Sequence, residues 1–383
     1  MKKIFLSFAI MMMFFFSNAQ TPSIQWQNTF GGESDEEAKS IIQTKDGGYI
    51  VCGYTDSEGA GKADIWLLKL DKSGELDWDN TYGGAKNDIG NSIIVTRDGG
   101  FALAGSTESF GKGSSDFWVI KTDFQGKALW KKPYGGPQAE EAYDIIQCLD
   151  GDFVVCGYTK SRGAGSSDLW VIKTNGGDKE IWRKNYGGGR KDDANNIIQK
   201  SDSSFILIGS TMSYGAGGSD AWFMKLVDKG RAKVKLNFGG VDYEYANSIT
   251  ETKDGGYIFC GASMSNSKGL FDFWVVKLNS MFEKEWESTY GDSKEDKARV
   301  IINTKDGGYV IAGHTQSKGN GSYDCWLIKL NKNGKFLWDK TIGGKKDDRV
   351  YDMIETLDGG IIVCGYTKSE GSGKKDLWVV KLK

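Results

Sequence analysis

The chain has 383 residues, and 49 Lys and Arg against 51 Asp and Glu give it a net charge of −2. A nucleic-acid-binding protein usually carries a basic excess or a basic stripe, and neither is present here. The single histidine, His314, argues against His-based metal sites and against catalysis of the Ser-His-Asp or Cys-His type. The 53 Gly, 3 Pro and 13% aromatic residues indicate many short strands joined by tight turns.

The first nineteen residues have the pattern of a secretory signal peptide. Lys2 and Lys3 precede an apolar run from Ile4 to Phe16, and small residues at Ser17–Ala19 mark a cleavage point before Gln20. The apolar run is shorter than the ~20 residues that a membrane-spanning helix needs. We therefore expect residues 1–19 to be removed and the mature chain to be exported without a membrane span. The expected destination is secreted, periplasmic or cell-surface.

The remainder, residues 20–383, is one 52-residue repeat that occurs seven times. Turn sequences of the Asp-Gly type recur at this spacing, and Asp202 is followed by Ser203 and Ser204 in the fourth repeat. All thirteen Trp fall into two series with the same period. The second series, in which Val234 replaces one member, is Trp26, Trp78, Trp130, Trp182, Trp286 and Trp338.

Each repeat is predicted to contain four strands. In the first repeat these are Ala38–Thr44, Tyr49–Thr55, Asp64–Leu70 and Leu76–Tyr82. The first two are joined by a tight turn in which Asp46-Gly47 supplies the positive φ angles of a hairpin. Repeats of about 40–50 residues with four strands and a Trp are typical of propeller blades. The sequence therefore predicts a single all-β domain, a seven-bladed β-propeller of antiparallel blades over residues 20–383.

The chain ends predict how the ring closes. The seventh repeat stops at Lys383, after its third strand, and the missing fourth strand matches Ile24–Phe30. We expect the N-terminal strand to complete the last blade, because a closed ring leaves few strand edges exposed.

Several repeated motifs resemble those of a known group of proteins. Thr81-Tyr82-Gly83-Gly84, Asp98-Gly99-Gly100 and Gly53-Tyr54-Thr55 look like the β-propeller repeats of secreted bacterial proteins. The resemblance covers the whole of residues 20–383 and implies a secreted or cell-surface propeller. It implies no particular activity, because that family has none in common.

The first Trp series is interpreted as structural. A Trp at every equivalent position can pack between neighbouring blades, which are buried on both faces. The alternative is seven sugar-stacking sites. The series is Trp66, Trp118, Trp170, Trp222, Trp274, Trp326 and Trp378. We also predict that all six cysteines are free, because equivalent strands of adjacent blades are too far apart for a disulfide.

A carboxylate precedes the first strand of every repeat. If that strand is innermost, the seven carboxylates form a ring at one mouth of the central channel and could bind calcium or a basic ligand. The alternative is that each accepts hydrogen bonds from its own turn. The residues of this acidic slot are Glu36, Asp88, Glu140, Asp192, Glu244, Asp296 and Asp348.

A second candidate position varies within the constant frame. It follows an invariant Gly at the end of the second strand and holds Tyr54, Tyr158, His314 and Tyr366 in four of the repeats. Variation at a constant position is consistent with ligand specificity and equally with neutral drift.

These features predict an exported, non-catalytic binding or scaffold protein that is monomeric. Its ligand, a polysaccharide or an extracytoplasmic protein, is expected on the loop-bearing face near the channel. No cofactor is expected, with calcium as the exception to be tested. The alternative is a polysaccharide-active enzyme, a lyase or a glycosidase. A glycosidase needs two carboxylates about 5–9.5 Å apart, and the acidic ring could supply them.

Overall fold

The computed structural model describes residues 20–383, so the predicted signal peptide lies outside the described residues. Twenty-eight strands form seven four-stranded sheets, and every pairing within a sheet is antiparallel. No helix is found in residues 20–383. The prediction of a seven-bladed β-propeller is therefore confirmed.

Blades 1 to 4 follow one another in chain order, each running from an inner to an outer strand. Their strands are β2 (Glu36–Gln43), β3 (Tyr49–Thr55), β4 (Asp64–Leu70), β5 (Leu76–Tyr82), β6 (Asp88–Val95), β7 (Phe101–Thr107), β8 (Asp116–Thr122), β9 (Ala128–Tyr134), β10 (Glu140–Gln147), β11 (Phe153–Thr159), β12 (Asp168–Thr174), β13 (Glu180–Tyr186), β14 (Asp192–Gln199), β15 (Phe205–Thr211), β16 (Asp220–Val227) and β17 (Arg231–Phe238).

Blades 5 to 7 repeat this order, except that blade 7 takes its outer strand from the start of the chain. Their strands are β18 (Glu244–Glu251), β19 (Tyr257–Ser263), β20 (Asp272–Leu278), β21 (Lys284–Tyr290), β22 (Asp296–Asn303), β23 (Tyr309–Thr315), β24 (Asp324–Leu330), β25 (Phe336–Ile342), β26 (Asp348–Glu355), β27 (Ile361–Thr367), β28 (Asp376–Leu382) and β1 (Ile24–Phe30).

Ring closure occurs as predicted. Strand β1 pairs antiparallel with β28, from Ile24 opposite Leu382 to Phe30 opposite Leu377. Just beyond the strands, the backbone N–H of Ser23 donates to the carbonyl of Lys383 at 2.8 Å. Blade 7 is thus a complete four-stranded sheet built from both ends of the chain.

The inner strand begins two residues earlier than predicted and carries a bulge. Strand β2 runs from Glu36, and its register against β3 shifts between Ala38 and Ser40, so Lys39 is the extra residue. A bulge of this kind bends the strand and re-aims the side chain that it carries. The same shift occurs in the inner strands of the other six blades.

The tight turn after the inner strand differs from the prediction. Gly47 alone has a positive φ, +86°, and Asp46 does not. The N–H of Gly47 donates to the carbonyl of Thr44 at 3.0 Å, and the Asp46 carboxylate accepts the N–H of Gly48 at 3.0 Å. This is a three-residue connection with one left-handed residue, which Gly occupies at little cost. In the fourth repeat Ser203 takes that conformation, with φ of 65°.

The hydrophobic core lies between blades. Seven clusters of buried side chains each draw on two adjacent blades. Trp170 of blade 3, for example, packs against Phe117 of blade 2 with ring centres 4.6 Å apart. All seven Trp of the first series are buried, with 1–6% of their surface exposed, and they are Trp66, Trp118, Trp170, Trp222, Trp274, Trp326 and Trp378.

The second Trp series packs blades together at the rim. A Cβ placed on Gly74 of blade 1 would lie 2.7 Å from the ring of Trp26, the outer-strand Trp of blade 7. Trp78 lies in the same way against Gly126 of the next blade. The six cysteines are all buried and free, as predicted.

Candidate functional site

The acidic slot lies at the start of each inner strand, on the face where the long Ser/Gly loops emerge. The Glu140 carboxylate accepts hydrogen bonds from Thr159 Oγ1 at 2.8 Å, from the Ser161 N–H at 3.0 Å and from the Gly136 N–H at 2.7 Å. Glu36 accepts the equivalent three bonds from Thr55, Ser57 and Gly32. Each carboxylate thereby joins its own turn to the start of the following loop.

All seven acidic-slot residues have 0–1% of their surface exposed, so they point into the blade and away from the channel. This arrangement matches the alternative of local hydrogen bonds. Within residues 20–383, no group of three His, Cys, Asp or Glu side chains is placed to hold a metal ion. Calcium binding stays a prediction, and Glu36, Asp88, Glu140, Asp192, Glu244, Asp296 and Asp348 remain its candidate ligands.

The variable position at the end of the second strand lies beside the channel mouth. Tyr54 and Tyr158 are half-buried, whereas Tyr366 and His314 are buried. The Tyr158 hydroxyl donates to Glu141 at 3.3 Å, and the Tyr366 hydroxyl donates to an acidic neighbour at 2.8 Å. Two of the three tyrosines, Tyr158 and Tyr366, thus hold acidic side chains at the mouth.

His314 is fully buried, and neither ring nitrogen has a hydrogen-bond partner among residues 20–383. Its ring contacts Tyr323 edge-on, with centres 5.3 Å apart. Burial lowers the pKa of His314 well below its ordinary value, and the cations Arg299, Arg349 and Lys297 lower it further. The imidazole is therefore neutral at physiological pH.

The residues that line the channel were not singled out in the sequence. The first strand of each blade is innermost, because β2 contacts both β26 and β6 of the neighbouring blades. Along it, the second and fourth residues alternate with fully buried ones and so face the axis. We call these the wall positions. They are Glu37, Ile89, Glu141, Asp193, Tyr245, Lys297 and Arg349, followed by Lys39, Asn91, Tyr143, Asn195, Asn247, Arg299 and Tyr351.

The wall is cationic at blades 6 and 7. Lys297 pairs with Glu295 at 2.9 Å, and Arg349 pairs with Asp347 at 3.0 Å. Arg299 is the third cation of this side, and no ion pair reaches it within residues 20–383. Burial lowers its pKa below the ordinary value, although a guanidinium stays charged in proteins.

The wall is anionic at blades 3 and 4. Glu141 accepts hydrogen bonds from the hydroxyls of Tyr143 and Tyr158, at 3.4 and 3.3 Å. Asp193 accepts the N–H of Ser210 at 3.1 Å and pairs with Lys191 at 3.4 Å. No cation of residues 20–383 lies within ion-pair distance of Glu141.

Blade 1 carries a neutralised pair between these two sides. Lys39 lies 2.5 Å from Glu37, and Lys375 of blade 7 lies 2.7 Å from the same carboxylate. Burial raises the pKa of Glu37, but the two lysines together bring it down to about 2. Among residues 20–383, the wall charges without an ion-pair partner are therefore Glu141 of blade 3 and Arg299 of blade 6.

Part of the chain is similar in sequence to a bacterial regulatory protein. No protein-family model matches the chain. It is similar to the regulatory protein FlaEY of Caulobacter vibrioides, with 28% identity over 199 residues, which is 45% of this chain and 21% of that protein. The chain thus spans about a fifth of this curated relative. Membership of a secreted repeat family stays a prediction.

Two solved structures share the architecture. Sqt1 of Chaetomium thermophilum, bound to the N-terminus of ribosomal protein L10, aligns over 92% of this chain and 98% of its own, with TM-score 0.51 and 11% identity. Puromycin hydrolase aligns over 87% of this chain and 50% of its own, with TM-score 0.53 and 11% identity. Identity this low indicates a shared fold and nothing more. Within residues 20–383, no helix has the length and hydropathy of a membrane span.

Proposed function

We propose that this protein is an exported, non-catalytic binding or scaffold propeller, and that its partner docks at the mouth of the axial channel on the loop-bearing face. The channel wall carries this proposal. The first and third residues of each inner strand are buried and repeat almost unchanged, as an acid and a small residue. The wall positions, at the second and fourth residues, differ from blade to blade. A purely structural ring has no need for such variation, while a specific binding surface requires it.

Of the two partner classes, a polypeptide fits the wall better than a polysaccharide. Blade 3 lies across the ring from the junction of blades 6 and 7, so Glu141 faces the cationic side. A polyanionic polysaccharide would be repelled by Glu141, and a neutral one would leave both Glu141 and Arg299 without a counter-charge. A polypeptide carries both signs of charge and can match both sides. Sqt1, which shares the fold, is bound to a polypeptide N-terminus.

The test is a binding screen with matched variants. Residues 20–383 are immobilised and offered a random-peptide display library and, separately, an array of polysaccharides. We expect selected peptides that contain both acidic and basic residues. Replacing Glu141→Gln should weaken their binding about tenfold, the order of one charge-assisted interaction. Glu58→Gln removes the same charge from an exposed loop residue of that face and should change nothing.

Two results would contradict the proposal. Selective binding of polysaccharides without peptides would replace the polypeptide partner with a carbohydrate. Peptide binding that is equally strong in Glu141→Gln and the unaltered chain would move the docking surface from the channel mouth to the rim.

A further inference from the structure

One wall position has a structural role in three blades. Asn91, Asn195 and Asn247 each donate from Nδ2 to a carbonyl on the inner strand of the next blade, at 2.7–2.8 Å. The acceptors are Ala142, Ala246 and Ala298. The Asn therefore joins the inner strands of adjacent blades across the bulge.

Arg299 holds this position in blade 6 and makes no such bond. Its guanidinium has no hydrogen-bond partner and no ion-pair partner among residues 20–383, and its buried Nε is left unsatisfied. A buried donor without a partner costs free energy, because it has lost its hydrogen bonds to water and gained none in the protein. An Asn would remove that cost, so the Arg is not explained by the stability of the ring.

The surroundings of Arg299 are cationic and aromatic. Its Cζ lies 5.7 Å from the ring centre of Tyr351, and Lys39 Nζ lies 3.8 Å from the same centre. The three neighbouring cations Lys39, Lys297 and Arg349 each have a carboxylate partner within the protein. Arg299 is thus the cation of this group whose donors are free for an external anion.

We propose that Arg299 binds a carboxylate group of the polypeptide partner, the guanidinium donating to it in the channel. The inference rests on the proposed function and names its anchoring contact. A guanidinium offers parallel N–H groups that match the two oxygens of a carboxylate. Glu141 lies on the opposite side of the ring, where its carboxylate would bind a cationic group of the same partner. The ligand is therefore a peptide segment with a carboxylate at one end of the contact and a basic side chain at the other.

The experiment has two arms. In the first, sodium acetate is titrated into the chain while the Nε–H signal of Arg299 is followed by NMR, with sodium chloride as the salt control. The signal is assigned by its absence in Arg299→Asn, which restores the residue of blades 2, 4 and 5 and is expected to fold. We expect a saturable shift with acetate and none with chloride.

In the second arm, peptides selected on the unaltered chain are measured against Arg299→Asn and against Arg162→Gln. Arg162 is an exposed loop residue of the same face, so its variant loses the same charge outside the channel. We expect about tenfold weaker binding with Arg299→Asn and no change with Arg162→Gln. Thermal unfolding of both variants verifies that the ring is intact.

The outcomes separate the two proposals. If peptides bind equally well to Arg299→Asn, the carboxylate anchor is wrong and the binding propeller stands. If acetate saturates Arg299 but no peptide binds, the anion site stands and the polypeptide partner is wrong. If neither acetate nor peptides bind, both are overturned.

Discussion

The ammonium of Lys39 lies 3.8 Å from the ring centre of Tyr351, and this contact joins the inner strands of blades 1 and 7. It crosses the boundary between the first and the last blade of the ring. The electron-rich face of the ring attracts the cation, and partial burial of both groups strengthens the attraction. Tyr143 has the same wall position in blade 3, and no cation lies over its ring within residues 20–383.

This pair predicts a difference between conservative variants. Tyr351→Phe keeps an aromatic face for Lys39, whereas Tyr351→Leu removes it and should lower the free energy of unfolding by about 1 kcal/mol relative to the Phe variant. The measurement is urea unfolding. Tyr143→Phe and Tyr143→Leu form the control pair, and an equal gap in both pairs would show that the cation contributes nothing.

The buried lysines of the Asp-x-Trp-x-x-Lys series give a second prediction. Lys121 pairs with Asp98 at 3.0 Å and otherwise donates to the Thr122 carbonyl. Lys277 pairs with Asp254 and also with Glu285, both at 3.0 Å. Asp98→Asn therefore leaves a buried ammonium without a carboxylate, whereas Asp254→Asn does not. We expect Asp98→Asn to cost about 1–3 kcal/mol and Asp254→Asn clearly less, measured by urea unfolding at neutral pH.

The pH dependence of this pair has a defined sign. A hydrogen bond from Thr96 and the ion pair with Lys121 lower the pKa of Asp98 to about 2, from an ordinary 3.8. The stabilisation is complete above pH 3.8 and is lost as the pH falls toward 2. The difference between Asp98→Asn and the unaltered chain should therefore shrink on acidification, and a constant difference would contradict the ion pair.

The acidic slot gives a third prediction, which also tests calcium. Glu140→Gln places an amide NH₂ among groups that donate to Glu140, so unfolding should become easier by about 1–3 kcal/mol. The control is Glu141→Gln at the neighbouring wall position, which should change the free energy of unfolding little. If calcium raises the unfolding temperature of the unaltered chain and of Glu141→Gln but not of Glu140→Gln, this slot holds a cation. We expect chelator to leave all three temperatures unchanged.

His314 gives a fourth prediction. Its pKa in the folded chain lies well below 6.5, the value of an exposed histidine, so the unfolded chain takes up the proton first as the pH falls. The contribution of neutral His314 to the free energy of unfolding is complete above pH 6.5, and it declines by about 1 kcal/mol between pH 6.5 and 5.5. His314→Ser, which matches Ser106 and Ser210 of blades 2 and 4, should remove this slope in urea unfolding. If the free energy of unfolding has the same pH dependence in both proteins, the titrating group is not His314.

The ring could be predicted because its determinants are local and periodic. The 52-residue spacing repeats every strand, and the unpaired strand at Ile24–Phe30 fits the one that blade 7 lacks. The turn was mispredicted at Asp46 because the motif suits two turn types. In the three-residue connection, the Asp46 carboxylate accepts the N–H of Gly48.

The channel wall could not be predicted in the same way. Glu36 and its equivalents were predicted as binding residues because an acid occurs there in every repeat. The structure shows that this acid accepts hydrogen bonds from the turns of its own blade, so every repeat needs it for folding. The wall positions lie one and three residues further on, and their alternation is short, because it ends beyond the bulge, where Ser40 and Ile41 are both buried. The Asn of blades 2, 4 and 5 bonds to the next blade, whereas Arg299 does not. No pattern in the sequence specifies this difference in contacts.

Because β1 pairs with β28, the time at which the ring can close depends on the order in which its strands are translated. Of the 28 strands of the propeller, β1 leaves the ribosome first and its partner β28 leaves last, so Ser23 bonds to Lys383 across more than three hundred residues. Six blades can assemble from neighbouring segments as they emerge, but blade 7 waits for β28. The nascent ring therefore stays open until β28 has been made, and closure then joins the first strand of the propeller to its last.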